Sequence, residues 1–217
     1  MRFIFEQIRV GGDRNFGYLL GDREAGEGIL IDPSYDPEAL VARAHAQKLR
    51  ITHILNTHGH ADHSNGNDAA KALTGALVWG GPGHPGPVDR VLQNGDRITF
   101  GAYHILCWHV PGHYHDHLAF LVEEMAAGIT GDLLFVGKVG GTGSDADART
   151  EWDSLQRLLL GWPEHTTIWP GHDYGARPCS TLTLERESNP FLRCGNVDDF
   201  IRLKARWAGF KAQHGLR

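Results

Sequence analysis

The segment Asn56–Asn65, "NTHGHADHSN", carries His58, His60, Asp62 and His63 within seven consecutive positions from Thr57. A buried, unpaired histidine costs free energy, and exposed ones have no reason to recur at such spacing. The stretch just before it, "ITHILNT", has the β-branched and aliphatic run of a buried strand, so the histidines follow a strand end. Extended backbone directs residues two apart to one side, which lets His58 and His60 converge. Helical ligands fall three or four apart, as in HExxH, so this is a different geometry. The small residues Gly59 and Ala61 let the loop fold tightly and bring Asp62 and His63 to a second position. Ring nitrogen and carboxylate oxygen together suit zinc, iron or manganese.

One loop does not complete a catalytic centre, so further ligands are expected at other strand ends. "HVPGHYHDH" places His113 after Pro-Gly, "ITGDLLF" places Asp132 in a turn between apolar runs, and "IWPGHDYG" repeats Pro-Gly-His at His172. A lone His or Asp after a glycine is ordinarily a turn or cap residue. Four strand-end hits in order, all of ligand chemistry, make a pattern.

Outward from this stretch the chain reads as alternating elements. "RFIFEQIRV", "FGYLLGD" and "GILIDP" are strands punctuated by glycine and by Asp32-Pro33. Asp36 is a candidate helix cap, with Pro37 at the first helical position and a run to Leu49. "NDAAKALTG" is helical with Gly75 as its stop, and "GGPGHPGPVD" is turn chemistry that puts His84 in a loop. "DRITF", "YHILCWHV", "HLAFLVEE" and "GITGDLLF" are strands, and "TTIWPGH" is a final one. Trp152, Leu155, Leu158 and Leu159 mark one amphipathic helix, and Phe200, Leu203, Trp207 and Phe210 another. No linker or low-complexity tract divides the chain, so residues 1–217 are expected to form one α/β sandwich domain.

Bulk properties narrow the function classes. With 41% hydrophobic and 22% charged residues the chain has the composition of an ordinary globular protein. A net charge of −5 gives no general attraction to phosphate backbones or anionic membranes, so neither nucleic acid nor membrane is an expected partner. The amino terminus lacks the apolar core and cleavage site of a signal peptide. Cys107, Cys179 and Cys194 show no CxxC spacing and cannot all pair, which favours reduced structural thiols and the cytoplasm.

"THGHADH", with His113, Asp132 and His172 behind it, resembles the HxHxDH signature and later ligands of the metallo-β-lactamase fold superfamily. The resemblance covers nearly the whole chain and implies an αββα sandwich: two mixed β-sheets flanked by helices, with metals at one edge. It assigns His58, His60 and His113 to a first metal, Asp62, His63 and His172 to a second, and Asp132 as the bridge. A carboxylate at that bridge points to the glyoxalase II-like (hydroxyacylglutathione hydrolase-like) branch. Two divalent ions (zinc, iron or manganese) would there generate hydroxide at neutral pH to cleave a thioester, a small thiol-derived substrate. Asp62 would orient the nucleophile or take its proton, and no GxSxG serine competes for the role. Persulfide dioxygenase has the same fold and is the alternative, with a single Fe(II) on His58, His113 and Asp132.

Tyr174 falls where both families place a tyrosine near the thiol-bearing substrate. Gly141 stands where the dioxygenases carry an arginine, and Gly141 and Gly143 where glyoxalase II grips glutathione with a lysine and a tyrosine. The C-terminal segment is shorter than that family's helical glutathione-binding domain. Tyr114 replaces the usual Thr or Ser after His113. His115 and His117 are expected on the rim, and His109 in a structural role. A binding protein with a structural metal would need only a closed four-ligand site, against the seven potential ligands found here.

Overall fold

In β2 (Asn15–Asp22) and β3 (Glu27–Ile31), successive side chains enter two different cores. Tyr18, Leu20, Ile29 and Ile31 lie on one face, Leu19 and Leu30 on the other. That is the two-residue period of extended backbone, and with both faces apolar neither can be left in water. The computed structural model, which describes residues 2–214, answers this with two stacked sheets between helical layers.

The first sheet has the order β1 (Phe3–Gly11), β2, β3, β4 (Arg50–Leu55), β5 (Leu77–Gly80), β6 (Arg90–Val91). It is antiparallel through β3 and parallel from there on. The second sheet runs β14 (Ser180–Thr181), β13 (Thr167–Pro170), β10 (Ala127–Gly131), β9 (Leu118–Val122), β8 (Tyr103–His109), β7 (Arg97–Phe100). Only its β10–β13 pair is parallel. Between the sheets Phe100, Ile105, Phe120 and Ile129 meet Tyr18, Leu20 and Ile31.

Helices α1 (Pro37–Ala46) and α3 (Asn67–Thr74) cover the outer face of the first sheet through Leu40, Val41, Ala44 and Ala70. On the far side, α4 (Asp145–Gly161) and α6 (Val197–His214) bury Leu155, Leu158 and Phe200 against Ala119 and Leu121. The architecture is therefore the expected αββα sandwich of two mixed sheets. Asp36 caps α1, its side chain accepting from Ala39 N, with Pro37 in the first turn.

Three local expectations are corrected. The run after Pro37 stops being helical at Ala46, not Leu49, because Lys48 turns left-handed (φ 60°) and delivers Leu49 into the core under α1. "GITGDLLF" is not one strand. Gly131 (φ 49°) ends β10, Leu133 N bonds back to Thr130 O, and Leu134–Phe135 (β11) forms a separate hairpin with Lys138–Val139 (β12). The last strand stops at Pro170, so His172 stands on a loop. Two short helices, α2 (Ala61–Ser64) and α5 (Leu182–Ser188), have no clear periodic signal in the sequence.

No helix among the described residues is long and apolar enough to cross a membrane. Cys107, Cys179 and Cys194 are all free, and burial pushes the Cys107 thiol up to about 12, which leaves it inert.

The β2 end is fixed by a buried carboxylate. Asp22 accepts from Arg2 Nε and Nη2 at 2.9 and 2.8 Å and from the backbone N–H groups of Glu24 and Ala102. The Arg2 bond, first, and these N–H groups hold its pKa well below the usual carboxylate range despite burial. A lowered folded-state pKa adds stability above the unfolded value, about 4, that is lost as pH falls. Asp22→Asn is therefore expected to lower the thermal midpoint at pH 7, with the gap to the parent narrowing through pH 4 to 3 in a differential scanning series. A pH-independent gap would refute the electrostatic origin.

Candidate metal centre

The seven sequence-selected ligand residues come from four strand-end segments, gathered where the two sheets are stitched together. Leu118 N donates to Thr57 O (2.6 Å) and Phe16 N to Gly171 O (2.8 Å), and Tyr18 Oη reaches Pro170 O at 2.5 Å. These bonds bring the loop after β4, with His58, His60, Asp62 and His63, against those carrying His113, Asp132 and His172. Gly171 makes the closest approach possible: a Cβ there would collide with Asp132 Oδ1 and stand 2.8 Å from His63 Cε1.

Three sets of donor atoms lie within 4.8 Å of one another: His58, His60 and His113; Asp62, His63 and His172; and, linking them, His58, His63 and Asp132. The outer atoms of the rings decide what the inner ones can do. His113 Nδ1 lies 2.7 Å from the Gly141 carbonyl, so it carries the proton and leaves Nε2 as a lone pair. His172 Nδ1 faces the Asp13 carbonyl at 2.9 Å, and His63 Nδ1 faces Asp32 Oδ2 at 3.0 Å. Thr57 Oγ1 gives its proton to Asp32 Oδ2 (2.6 Å), so in its 3.1 Å contact with His58 Nδ1 the ring is the donor. Four rings are thus held with a bare Nε2 turned inward.

Bare nitrogens then meet. His63 Nε2 and His172 Nε2 stand 3.2 Å apart, and His58 Nε2 and His113 Nε2 face His60 Nδ1 at 2.9 and 3.1 Å. A single His60 proton satisfies only one of those two. Asp132 Oδ1 is buried without a hydrogen-bond partner, with His63 Nε2 3.4 Å away. A cation supplies what each of these atoms lacks, so the donor set fits a divalent metal.

The electrostatics point the same way. Burial pushes His58, His60 and His113 below the ordinary histidine range and keeps them unprotonated. Burial acts likewise on His63 and His172, but the Asp132 carboxylate outweighs it and raises both. Burial would raise Asp132 too, yet His63 and His172 hold it well below the carboxylate range. The ground between them collects positive charge.

Several residues that organise the site escaped the sequence reading. Asp32, read there as turn punctuation, accepts from Thr57 N (2.8 Å), Thr57 Oγ1 and His63 Nδ1. Its signal was available: a carboxylate closing an apolar strand adjacent to the ligand-bearing one. Asn15 Nδ2 donates to Asp62 O (2.9 Å) and Asp62 Oδ2 (3.1 Å), and Asp116 Oδ1 accepts from Gly59 N (3.2 Å). His117 is not on the rim. It is fully buried, stacks on His58 (4.8 Å between ring centres, 15° between planes), and its Nε2 accepts from Asp132 N at 3.1 Å. Hydrogen-bonded to the candidate bridge, it cannot be a surface group. His115 is exposed and holds Gly83 O, while His109 Nε2 bonds the His115 carbonyl, as structural readings require.

Beside His113 and Asp132 opens a cavity of ≈ 390 Å³, walled by Phe135, Val139, Phe191, Ile201 and Trp207. Tyr174 lines it, stacked parallel on His172 (4.5 Å, 4°), with its hydroxyl donating to Asp13 Oδ2 at 2.8 Å. Lys138 Nζ sits 3.9 Å over the Tyr174 ring.

Known proteins resemble this chain in sequence and fold. The metallo-beta-lactamase superfamily profile matches residues 10–102. A hydroxyacylglutathione hydrolase of Rhodospirillum rubrum is 39% identical over 205 residues, 92% of this chain and 78% of that one. The mitochondrial persulfide dioxygenase ETHE1 of Homo sapiens is 30% identical over 213 residues, 94% and 79% of the two chains. The crystal structure of ETHE1 from Myxococcus xanthus superposes with a TM-score of 0.86 at 29% identity, covering 93% of this chain and 90% of that one. With two mixed sheets, ligand chemistry at their shared edge and relatives matched over most of their length, the chain belongs to the metallo-beta-lactamase superfamily.

Proposed function

We propose that this chain is a metal-dependent hydrolase that cleaves a small-molecule thioester of the hydroxyacylglutathione kind. The observation that carries the reading is the pair of convergent donor sets, His58–His60–His113 and Asp62–His63–His172, with Asp132 between them. Each set would hold one divalent ion (zinc, iron or manganese) and Asp132 would bridge them. When bound, two such ions polarise a thioester carbonyl and lower the pKa of a water, so the acyl–sulfur bond is cleaved without a protein nucleophile.

The remaining work falls to the chain's own residues. Asp62, its side chain 35% exposed and its Oδ2 held by Asn15, faces the centre from the open side and can orient the attacking water or take its proton. The buried Asp132, fixed through its N–H by His117, keeps the two donor sets in register. Tyr174 and the apolar cavity wall would receive the thiol portion of the substrate. Gly141 has no neighbour within 4 Å of a would-be Cβ, so this part of the wall is open. The fold supports a single metallo-β-lactamase-like domain over residues 1–217, and three free cysteines support a reducing compartment, the cytoplasm.

The second reading, a mononuclear Fe(II) persulfide dioxygenase on His58, His113 and Asp132, draws on the ETHE1 relative. Oxygen uptake by iron-loaded protein given glutathione persulfide, with thioester hydrolysis assayed on the same sample, separates the two. Hydrolysis without uptake is the expected outcome, and rapid uptake would replace the hydrolase reading.

Chelation is expected to abolish hydrolysis, and about two equivalents of divalent metal to restore it. Asp132→Ala should lose both metal occupancy and activity, while full metal content in that variant would remove Asp132 from the bridge. His63→Ala should cripple a dinuclear hydrolase and spare a mononuclear iron enzyme. Asp32→Ala removes no ligand, yet it is expected to weaken metal affinity about 10–100-fold by freeing the His63 and His58 rings. Unchanged affinity by chelator competition would show that those rings need no such anchor.

A further inference from the structure

Helices α4 and α6 are joined on the cavity side by a buried ion pair that the proposed chemistry does not use. Lys204 Nζ, on α6, bonds Glu151 Oε2, on α4, and also donates to the Gly140 carbonyl at 2.7 Å. Glu151 is fully buried, and its second oxygen, Oε1, has no partner. An incompletely satisfied buried pair contributes little net stability, and apolar side chains of similar volume would join two helices as well or better. Its geometry relates to something else: the His113 turn.

Glu151 and Ser154 sit three residues apart on one face of α4, and both meet that turn. Ser154 Oγ donates to Pro111 O at 2.7 Å. Gly112, at φ 141°, packs so tightly on Glu151 that a Cβ there would collide with the glutamate's Cα and Cβ. From the other side Lys204 holds Gly140, and the next carbonyl, Gly141 O, takes the His113 Nδ1 proton at 2.7 Å. The pair therefore grips both the backbone that carries His113 and the peptide next to the one whose carbonyl decides its tautomer.

We infer that Lys204, anchored by Glu151, is a positioning residue for His113: it fixes the Gly140 carbonyl and so places the adjoining Gly141 carbonyl, with which the ring keeps its proton on Nδ1 and presents Nε2 to the centre. Burial pushes the Glu151 carboxyl up to about 8 and Lys204 down, so what α6 supplies is a hydrogen-bonded tether rather than a free surface charge. With two of its three ammonium protons committed to Glu151 and Gly140, Lys204 is tied to the helix and the Gly140 turn although it lines the cavity. The C-terminal helix thereby acts on the metal site without reaching it. The inference rests on the proposed metal reading of His113.

The test compares the parent chain with Lys204→Met/Glu151→Leu, an apolar exchange, and with the gentler Glu151→Gln. Zinc affinity is measured by competition with a chromophoric chelator, and the His113 tautomer by long-range ¹H–¹⁵N imidazole spectra of metal-free protein. The double variant is expected to keep or raise its melting temperature, weaken zinc binding about 10–100-fold and lose the fixed Nδ1–H signature, with Glu151→Gln intermediate. Unchanged affinity and tautomer with a lowered melting temperature would make the pair a packing element and overturn the inference. A raised KM with unchanged zinc affinity would make Lys204 a substrate contact and overturn it too. If the parent chain bound no zinc, the metal reading would fail on its own, while the metal-free tautomer would still report on the tether.

Discussion

The Asp32 carboxylate is the constraint on which the centre depends. Fully enclosed, it accepts three hydrogen bonds, from Thr57 N, Thr57 Oγ1 and His63 Nδ1. Through Thr57 it also obliges His58 to donate from Nδ1, so one anion sets the tautomers of a ring in each candidate donor set. Its own placement carries backbone strain, at φ 48° in the left-handed region that Asp tolerates better than most residues. That turn follows directly from β3 lying parallel to β4: Asp32 N pairs with Leu55 O, and the carboxylate arrives beneath the loop that begins at Asn56. The sandwich is thus more than a support, because strand register delivers the anion to the ligand loop.

Legibility in the sequence divides along a physical line. The candidate ligands could be read because their chemistry is unusual at strand ends and four of them fall in one loop. Apolar runs bounded by glycine and turn residues likewise exposed β2, β3 and β9, whose two faces feed separate cores. What could not be read depends on partners distant in the chain. His117 in isolation is one more histidine in "HYHDH", and only the fold shows it stacked on His58 with its Nε2 on the Asp132 amide. Asn15 reaches Asp62 from 47 residues away, and Lys204 reaches Gly140 from 64. The break in "GITGDLLF" was equally hidden: an unbroken strand fits its composition, but Asp132 has to leave the sheet to stand between His63 and His172.

Polar order at this seam is bought with few spare hydrogen bonds. Apart from the ring nitrogens, the described buried atoms without partners include Asp132 Oδ1 in the centre and Glu151 Oε1 behind it. Asn15 Oδ1 and Asp116 Oδ2, beside the ligand loop, are also unpartnered, as are Thr166 Oγ1 and Ser180 Oγ in and beside β13 and β14, whereas in the Asn56–Asn67 pair each amide donates to the other at 3.1 and 2.7 Å. An orphaned donor or acceptor costs roughly 1–3 kcal/mol, so such atoms persist where a ligand or a functional constraint answers them. For Asp132 Oδ1, enclosed among histidine rings, that answer is the cation the donor sets would hold.

Charge balance explains why this centre suits hydrolysis better than a neutral cage would. Asp132, Asp62 and, behind His63, Asp32 are the carboxylates that face the donor sets. Three anions against two divalent ions leave the loaded site net positive, in a setting where burial strengthens the field. Such a site favours a deprotonated water and an oxyanion as the carbonyl is attacked, both negative. The neutral rings matter as much as the anions: burial keeps His58, His60 and His113 unprotonated, so they bind a cation without cancelling its charge. A fourth carboxylate in place of one of these rings would hold the metals more tightly and weaken their pull on the water. The chain's mixture of imidazole and carboxylate sets that compromise.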